Sequence, residues 1–294
     1  MRVAVVDKKD IVLKVERSSI KFDGERLPCS LVDILCINHR VRLESRDILK
    51  LNEHGISLLV VSHNNKNLSM LHSANAKQGE LRLAQYEALS YRLEIAKYFI
   101  SKKVTTHAQH LEHLKVEIET ETILEEIAKA DSIESLMGLE GKFAKRYFKE
   151  YFQLFPEGLV SSKRTKNPPK DVVNALLSFW YSLYYNIITV KLLSLGFDPI
   201  IGYLHTAFRT HNALASDLIE IFRAEINHTV LGVFQKQLLT KEDFSNSRGG
   251  VYLKFEGLKK VWGEFVSLVD VLNPRLKEEI AKLRKMIEVK DEKV

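Results

Sequence analysis

The sequence predicts an α+β chain, with a small N-terminal β domain containing one short helix, residues 1–76, and a larger all-α domain, residues 77–294. Two observations support this division. Short segments rich in β-branched residues, separated by turn residues, fill roughly the first quarter of the chain. Beyond about residue 80 the apolar residues recur at helical spacing instead. The β domain is expected to be a small β-sandwich or a twisted sheet.

The predicted β elements follow from local pattern. Asp23-Gly24 lies directly after one segment and favours a two-residue hairpin turn, while Asn64-Asn65 marks a later turn. The run GISLLVV at 55–61 is apolar on both faces and predicts a central, buried strand. A short helix is expected over 45–52, with Ser45 as its N-cap and Gly55 just beyond its end. The expected strands are 3–6, 11–15, 19–22, 34–37, 41–43, 57–61 and 68–71.

The second part of the chain carries one amphipathic pattern after another. Leu81, Ala84, Ala88, Tyr91 and Ile95, for example, recur close to a period of 3.6 residues. Proline, glycine and serine clusters separate the patterns at 156–158, 167–169, 196–202 and 245–250. The expected helices are 80–103, 108–130, 132–152, 170–195, 211–238 and 274–290.

Composition limits the classes of function. A net charge of +6 weakly favours polyanionic partners. No stretch reaches the roughly 20 apolar residues that a membrane span requires, and the N-terminus lacks a signal-peptide pattern, so a cytoplasmic location is expected. Cys29 and Cys36 predict two buried thiols rather than a disulfide framework. The phosphate-binding motif GxxxxGK[ST], the dinucleotide motif GxGxxG after a strand, the hydrolase motif GxSxG and the zinc-protease motif HExxH are absent.

Three histidines at spacings of three form a cluster, His107, His110 and His113. The spacing places neighbours on one helix face but matches no standard set of metal ligands. We expect a solvated polar face here, with metal binding as the weaker alternative.

Two acids lie three residues apart in a strongly apolar helical segment, Asp217 and Glu220. Carboxylates beside an apolar stripe are costly unless they are paired or coordinated. Their partner is either a basic side chain, Arg209 or Arg223, or a divalent cation, and the segment itself leaves both alternatives open.

Glu140 directly precedes Gly141 within a predicted helix, where glycine is usually tolerated for close packing or access to a neighbour. An ordinary surface glutamate is the alternative interpretation. A basic loop follows, which either contacts phosphate or is merely solvated. Its residues are Lys163, Arg164, Lys166 and Lys170. The next helix is expected to hold Asp171 in its first turn and to use four aromatic residues for packing rather than base stacking, Trp180, Tyr181, Tyr184 and Tyr185.

Taken together, these segments resemble the CRISPR adaptation integrase family, the larger of the two core spacer-acquisition proteins. The resemblance rests on EGKFAKRYF at 140–148, NPPKDVVNALLSFWYSLYY from 167, GFDPIIGYLH at 196–205 and LASDLIEIFR at 214–223, and on the strands ending in GISLLVVSHNN. It covers nearly the whole chain. Asn167, Val172 and Asn212 depart from the residues common in that family.

The resemblance implies a helical catalytic domain, a homodimer, and a complex with a dimer of a small ferredoxin-like partner. It implies insertion of spacer DNA into a CRISPR repeat array by attack of a 3′-hydroxyl on a phosphodiester. The metal ligands it implies are Glu140, His205 and Glu220, with Asp217 and Asn174 supporting the site.

The chemistry of the implied ligands agrees with the implied reaction. Two carboxylates and one imidazole suit Mg²⁺ or Mn²⁺, and transesterification needs no nucleotide cofactor. We expect basic residues to hold the duplex, namely Arg164, Lys166, Arg209, Arg223 and Arg248. A nuclease acting mainly on branched or single-stranded DNA, and a non-catalytic DNA-binding scaffold with its acids in salt bridges, are the two alternatives.

Overall fold

The computed structural model describes residues 2–6, 8, 10–38, 40–61, 68–71, 79–161, 163–206 and 211–288. The chain divides into two compact units, Met1–Lys77 and Gln78–Val294. The predicted turn at Asn64-Asn65 and the proposed DNA contact Arg209 lie outside the described residues. Strands dominate the first unit and helices the second, which confirms the predicted α+β class.

The first unit contains two sheets and one helix. One sheet has the order β1-β5-β6-β7, with parallel pairing except between β6 and β7, and the other is the antiparallel meander β2-β3-β4. The helices and strands of the first unit are β1 (Val3–Val6), β2 (Leu13–Glu16), β3 (Ser19–Phe22), β4 (Glu25–Pro28), β5 (Ile34–Asn38), α1 (Ser45–Glu53), β6 (Ser57–Val61) and β7 (Leu68–Leu71).

Several local predictions for this unit are confirmed. Asp23 and Gly24 both have positive φ and join β3 to β4, as the hairpin signal predicts. Strand β6 lies between two neighbours, and Leu58 and Leu59 are buried. Cys29 and Cys36 are free, buried thiols.

Two predictions for this unit are wrong. Residues 41–43 form no strand, because their pairing is limited to an isolated bridge between Val12 and Arg42. Ser45 is the first helical residue rather than the cap, since Glu44 takes the flanking position and its side chain makes no capping hydrogen bond.

The second unit is a helical assembly around one central helix. Helix α7 packs against α3, α6 and α8, and it is apolar on nearly every side, as a helix surrounded by others must be. The elements are α2 (Gly79–Glu87), α3 (Arg92–His113), α4 (Glu121–Lys129), α5 (Ile133–Gln153), α6 (Val172–Ser194), α7 (Ala213–Gln235), β8 (Phe244–Ser247), β9 (Gly250–Leu253) and α8 (Phe255–Glu288). Among the described residues, no helix has the length and apolar character needed to cross a membrane.

Several boundaries in this unit differ from prediction. The expected helix 80–103 is divided between α2 and α3, and the expected helix 108–130 is divided between α3 and α4. Helix α3 runs unbroken through 103–108, because Lys103, Val104 and His107 continue its buried face. Helix α8 starts well before residue 274 and runs through Pro274, since buried residues on both sides of the proline hold it in place. The expected loop at 245–250 is part of the hairpin β8-β9, closed by Arg248 and Gly249 at positive φ.

Candidate active site

Helix α7 carries two buried acids, Asp217 and Glu220, which are 0% and 4% exposed. Their spacing of three places them on neighbouring positions of one helix face. An isolated buried carboxylate is strongly unfavourable, so each needs specific partners. The partners differ, and they give the two acids different roles.

Asp217 holds the segment that precedes α7. Its carboxylate accepts hydrogen bonds from the backbone N–H groups of Tyr203 at 2.6 Å, Leu204 at 3.1 Å and His205 at 2.9 Å. It also accepts from Nδ1 of the His205 ring at 2.8 Å. The aspartate therefore fixes both the backbone and the ring orientation of His205, which directs Nε2 away from the aspartate.

The protonation of His205 reflects this contact. Partial burial of the ring lowers its pKa, but the hydrogen bond and negative charge of Asp217, with a further contribution from Glu220, raise the pKa above its usual value overall. His205 thus lies within electrostatic range of both acids of α7.

Glu220 is paired with two cations. Its Oε1 contacts a guanidinium nitrogen of Arg223 at 2.8 Å, and its Oε2 lies 2.6 Å from Nζ of Lys103. Burial raises the pKa of Glu220, but Arg223 and Lys103 outweigh it and hold the pKa far below its usual range. The ammonium of Lys103 is thus the charged partner of Oε2, which is otherwise a buried oxygen.

Lys103 also joins Glu220 to Glu140. Its ammonium, on a side chain that is 5% exposed, contacts the Glu140 carboxylate on α5. Burial lowers the pKa of Lys103, but the charges of Glu220 and Glu140 raise it by more than burial lowers it. The ammonium therefore stays charged. One lysine on α3 therefore brings together two acids that are far apart in the chain.

Two guanidinium groups lie over the ring of Tyr181, that of Arg223 at 4.6 Å and that of Arg164 at 5.5 Å from the ring centre. The hydroxyl of Tyr181 is hydrogen-bonded to the side chain of Asn227. Arg223 is consequently fixed by an acid and an aromatic ring together.

Asn174 shapes the basic loop. Its side-chain oxygen accepts from Arg164 at 2.9 Å and from the backbone N–H of Thr165 at 3.0 Å. Its amide donates to the carbonyl of Lys163 at 3.1 Å and to Asp171 at 2.7 Å. Asp171 is the N-cap of α6 and not a residue of its first turn as expected, and its side chain accepts from the backbone N–H of Asn174 at 2.7 Å. Asn174 thus supports the loop, and among the described residues it makes no hydrogen bond to Glu140, Asp217 or Glu220.

The other predicted DNA contacts lie at two places. Lys166 is an exposed residue, but its ammonium is partly desolvated. This desolvation and the positive charge of nearby Arg223 lower the pKa of Lys166. Arg248 lies exposed at the tip of the β8-β9 hairpin, and no contact among the described residues connects it with the acids. This hairpin packs on the loop before α6, where Val251 N–H donates to the carbonyl of Pro169.

The histidine cluster is not a solvated face. His107 and His110 are 1% and 8% exposed, and only His113 of the three is exposed. Nδ1 of His107 donates to the carbonyl of Lys103, while Nδ1 of His110 shares a 2.7 Å hydrogen bond with the Tyr147 hydroxyl. The prediction failed because the helix turns two of these residues towards α5 and α7.

Two further expectations for this region have clear outcomes. Gly141 is exposed and a Cβ there would meet nothing within 4 Å, so close packing does not explain that glycine. Of the four aromatic residues expected to pack, Trp180, Tyr181 and Tyr184 are buried, which confirms packing as their main role. Tyr185 is only half-buried, and its hydroxyl accepts a hydrogen bond from the backbone N–H of Asn212.

Lys103 is the residue that sequence reasoning missed. It follows Phe99 and Ile100 and precedes Val104, at a position where the helical period demands a buried side chain. A lysine on an apolar stripe predicts an anionic partner inside the fold, and this signal was available in the sequence.

The donor chemistry at this site fits a divalent cation such as Mg²⁺ or Mn²⁺. Glu220 offers a buried oxygen whose partner is the Lys103 ammonium, Glu140 is partly open to solvent, and the His205 ring is oriented through Nδ1, which leaves Nε2 available. Within the described part of the chain, however, no three His, Cys, Asp or Glu side chains converge as metal ligands do. The two glutamates close on the ammonium of Lys103 instead.

The chain is similar in sequence to one family of known proteins. Residues 3–267 match the family described as CRISPR associated protein Cas1. The CRISPR-associated endonuclease Cas1 1 of Thermodesulfovibrio yellowstonii is 33% identical over 285 residues, covering 89% of this chain and 89% of that protein. Three further relatives that carry the Cas1 name are matched over 51%, 52% and 61% of their own lengths.

Two solved structures share the fold over nearly their whole length. A Cas1 protein from Thermotoga maritima has a TM-score of 0.89 and 22% identity, covering 99% of this chain and 98% of that one. A casposase bound to integration product has a TM-score of 0.86 and 23% identity, covering 100% of this chain and 92% of that one. At such identities the likeness concerns the fold.

Proposed function

The chain belongs to the CRISPR-associated Cas1 family of DNA endonucleases and integrases, and from that premise we propose that it inserts spacer DNA into a CRISPR array by metal-dependent transesterification. One observation carries the proposal. Glu140 and Glu220 share a single ammonium in a buried position, and His205 is held within electrostatic range of Glu220.

In this proposal Glu140, Glu220 and His205 hold the divalent ion, Mg²⁺ or Mn²⁺. When bound, the ion would lower the pKa of the attacking 3′-hydroxyl and neutralise charge on the scissile phosphate. Asp217 orients His205, and it keeps the proton on Nδ1 so that Nε2 is available as a ligand. Arg223 retains one oxygen of Glu220 and so fixes the carboxylate in the site.

The remaining basic residues are assigned to DNA. Desolvation of the Lys166 ammonium, together with the positive charge of nearby Arg223, lowers its pKa. A phosphate group beside Lys166 and Arg223 would balance this positive charge, which favours DNA as the partner. Asn174 holds Arg164 in the same loop, whereas Arg248 reaches out from the hairpin that packs on that loop. The partners proposed are spacer and repeat DNA, a second copy of the chain and a dimer of the small ferredoxin-like adaptation protein.

A strand-transfer assay tests the proposal. A labelled donor with a free 3′-hydroxyl and a supercoiled target are incubated with the protein, with and without the small partner and Mn²⁺. Joined product should require the metal and should vanish with a 3′-deoxy donor. Target nicking that persists with the deoxy donor would assign the site to hydrolysis, and activity unaffected by EDTA would contradict a metal role.

Alanine at Glu140, His205 or Glu220 is expected to lower strand joining by more than about a hundredfold, because each removes a ligand. DNA binding, measured by fluorescence anisotropy, should stay within about threefold of the wild type, since contacts to the DNA backbone dominate that affinity. Glu256→Ala provides the matched control, because that side chain is 75% exposed on α8. Near-normal joining by any of the three variants would refute that ligand.

A further inference from the structure

The position between the two proposed metal-binding glutamates is filled by a side chain of the protein itself. Nζ of Lys103 lies 2.6 Å from Glu220 and also contacts Glu140, and the lysine side chain is 5% exposed. The three residues come from α3, α5 and α7, so this contact forms only in the folded helical unit. A buried lysine between two acids is a built feature of the site rather than a surface ion pair.

The side chains in direct contact around Lys103 and Glu220 carry equal numbers of positive and negative charges. Lys103 and Arg223 supply two positive charges against the two negative charges of Glu140 and Glu220. A divalent ion bound by the same two carboxylates would place two more positive charges beside the ammonium. Like charges repel at this largely buried position, so the ammonium in contact with both glutamates opposes binding of the ion to the same two carboxylates.

We propose that the ammonium of Lys103 holds the metal position in the metal-free protein, and that a divalent ion binds only by displacing it from at least one of the two glutamates. This inference rests on the proposed function, since it takes Glu140 and Glu220 as ligands of the ion. It also accounts for the arrangement in the described residues, where these acids converge on a lysine and not on His205.

Displacement has a measurable cost in metal affinity. The ion must overcome the attraction between Lys103 and the two carboxylates before it gains its own ligands. Removing the ammonium while keeping the length of the side chain should therefore tighten metal binding, by at least about tenfold at the effective dielectric of protein sites.

The first test measures Mn²⁺ binding to the full-length protein without DNA. Free Mn²⁺ is followed by its electron paramagnetic resonance signal during titration of the wild type, Lys103→Met and Lys97→Met. Lys97 is the matched control because it lies on the same helix, is 17% exposed and pairs with Glu94 at 3.0 Å. Lys103→Met should bind Mn²⁺ at least about tenfold more tightly, whereas Lys97→Met should stay within about twofold of the wild type.

The outcomes separate this inference from the proposed function. If the wild type binds Mn²⁺ and Lys103→Met binds it equally or more weakly, the inference that the ion displaces Lys103 is wrong. The proposed metal site would still be supported in that case. If the wild type binds no Mn²⁺ above the level of Glu220→Ala, the proposed metal site itself fails.

Lys103→Met leaves two buried carboxylates short of a counter-ion and can fail to fold, so a second measurement uses the wild type. Lysine ¹⁵N labelling should show a solvent-protected ammonium signal for Lys103 that shifts or disappears on saturation with Mg²⁺. The Lys97 signal serves as the reference and should not move. A Lys103 signal unchanged by saturating Mg²⁺ would overturn the displacement.

Discussion

At the scale of single residues, Asp217 shows how one buried carboxylate can organise a site. It receives three backbone hydrogen bonds and one from the His205 ring, and it is 0% exposed. Hydrogen bonds to a charged acceptor are worth more than those to a neutral one, and four on one group fix its surroundings firmly. Asp217 is therefore a positioning residue for the histidine.

Asp217→Asn is expected to lower the free energy of unfolding by about 3 kcal/mol, because the amide replaces one acceptor by a donor facing N–H groups. Urea denaturation measures this loss. Asp270→Asn is the control, since Asp270 is exposed on α8. A variant as stable as the wild type would show that the hydrogen bonds to Asp217 contribute little to stability.

His110 predicts a pH dependence of stability. Burial, together with His228 and His113, lowers its pKa to about 3. Its pKa in the unfolded chain is about 6.5, so below that pH the unfolded state takes up a proton that the folded state does not. The stability contributed by the neutral ring is complete above pH 6.5 and is lost as the pH falls towards 3.

His110→Gln should flatten this dependence. Between pH 6 and pH 4 the wild type should lose about 2–3 kcal/mol more than the variant, at about 1.4 kcal/mol per pH unit. Urea denaturation at each pH gives the two curves, and His54→Gln at the exposed end of α1 controls for losing a histidine. Parallel curves for the wild type and His110→Gln would contradict the buried, neutral ring.

At the scale of elements, the segment before α7 is tightly constrained. A Cβ on Gly202 would lie 2.7 Å from Cβ of Ala213 and 2.8 Å from the carbonyl oxygen of His205. This glycine thus lets the segment carrying His205 lie directly against the start of α7. The segment that carries His205 is therefore held by the close approach of Gly202 to Ala213 and also by the hydrogen bonds to Asp217.

Gly202→Ala is expected to cost about 1–3 kcal/mol of stability and to lower strand joining, because the methyl group pushes His205 away from α7. Gly232→Ala is the contrasting variant. Gly232 lies inside α7, where a Cβ would meet nothing within 4 Å. This substitution should raise the free energy of unfolding by about 0.5–1 kcal/mol. Thermal unfolding and the strand-transfer assay measure both effects, and an unchanged Gly202→Ala protein would contradict the steric argument.

At the scale of the whole molecule, a net charge of +6 leads us to expect DNA binding that weakens with salt. Lys166→Ala should reduce the slope of log affinity against log salt by about 1, since one phosphate contact is lost. Lys129→Ala, whose side chain is 79% exposed on α4, should leave the slope unchanged. Fluorescence anisotropy at several salt concentrations measures the slope. Equal slopes for Lys166→Ala and the wild type would remove Lys166 from the DNA contacts.

The sequence by itself determined the α+β class, the hairpin at Asp23-Gly24 and the buried strand β6, because turn residues and apolar periodicity act locally. It also determined the family, since four matching segments in a fixed order are far more specific than any single motif. The assignment of Glu140, His205 and Glu220 as ligands stays a prediction.

Only the tertiary structure decided which side chains meet. Lys103 joins Glu140 to Glu220 only because three different helices meet at this point. The local sequence pattern of each helix does not predict that α3 packs beside α5 and α7. The same holds for the burial of His107 and for α8 running through Pro274, where neighbours outweigh local preference. Local propensity acts over a few residues, whereas desolvation and charge pairing depend on the complete set of neighbours in space.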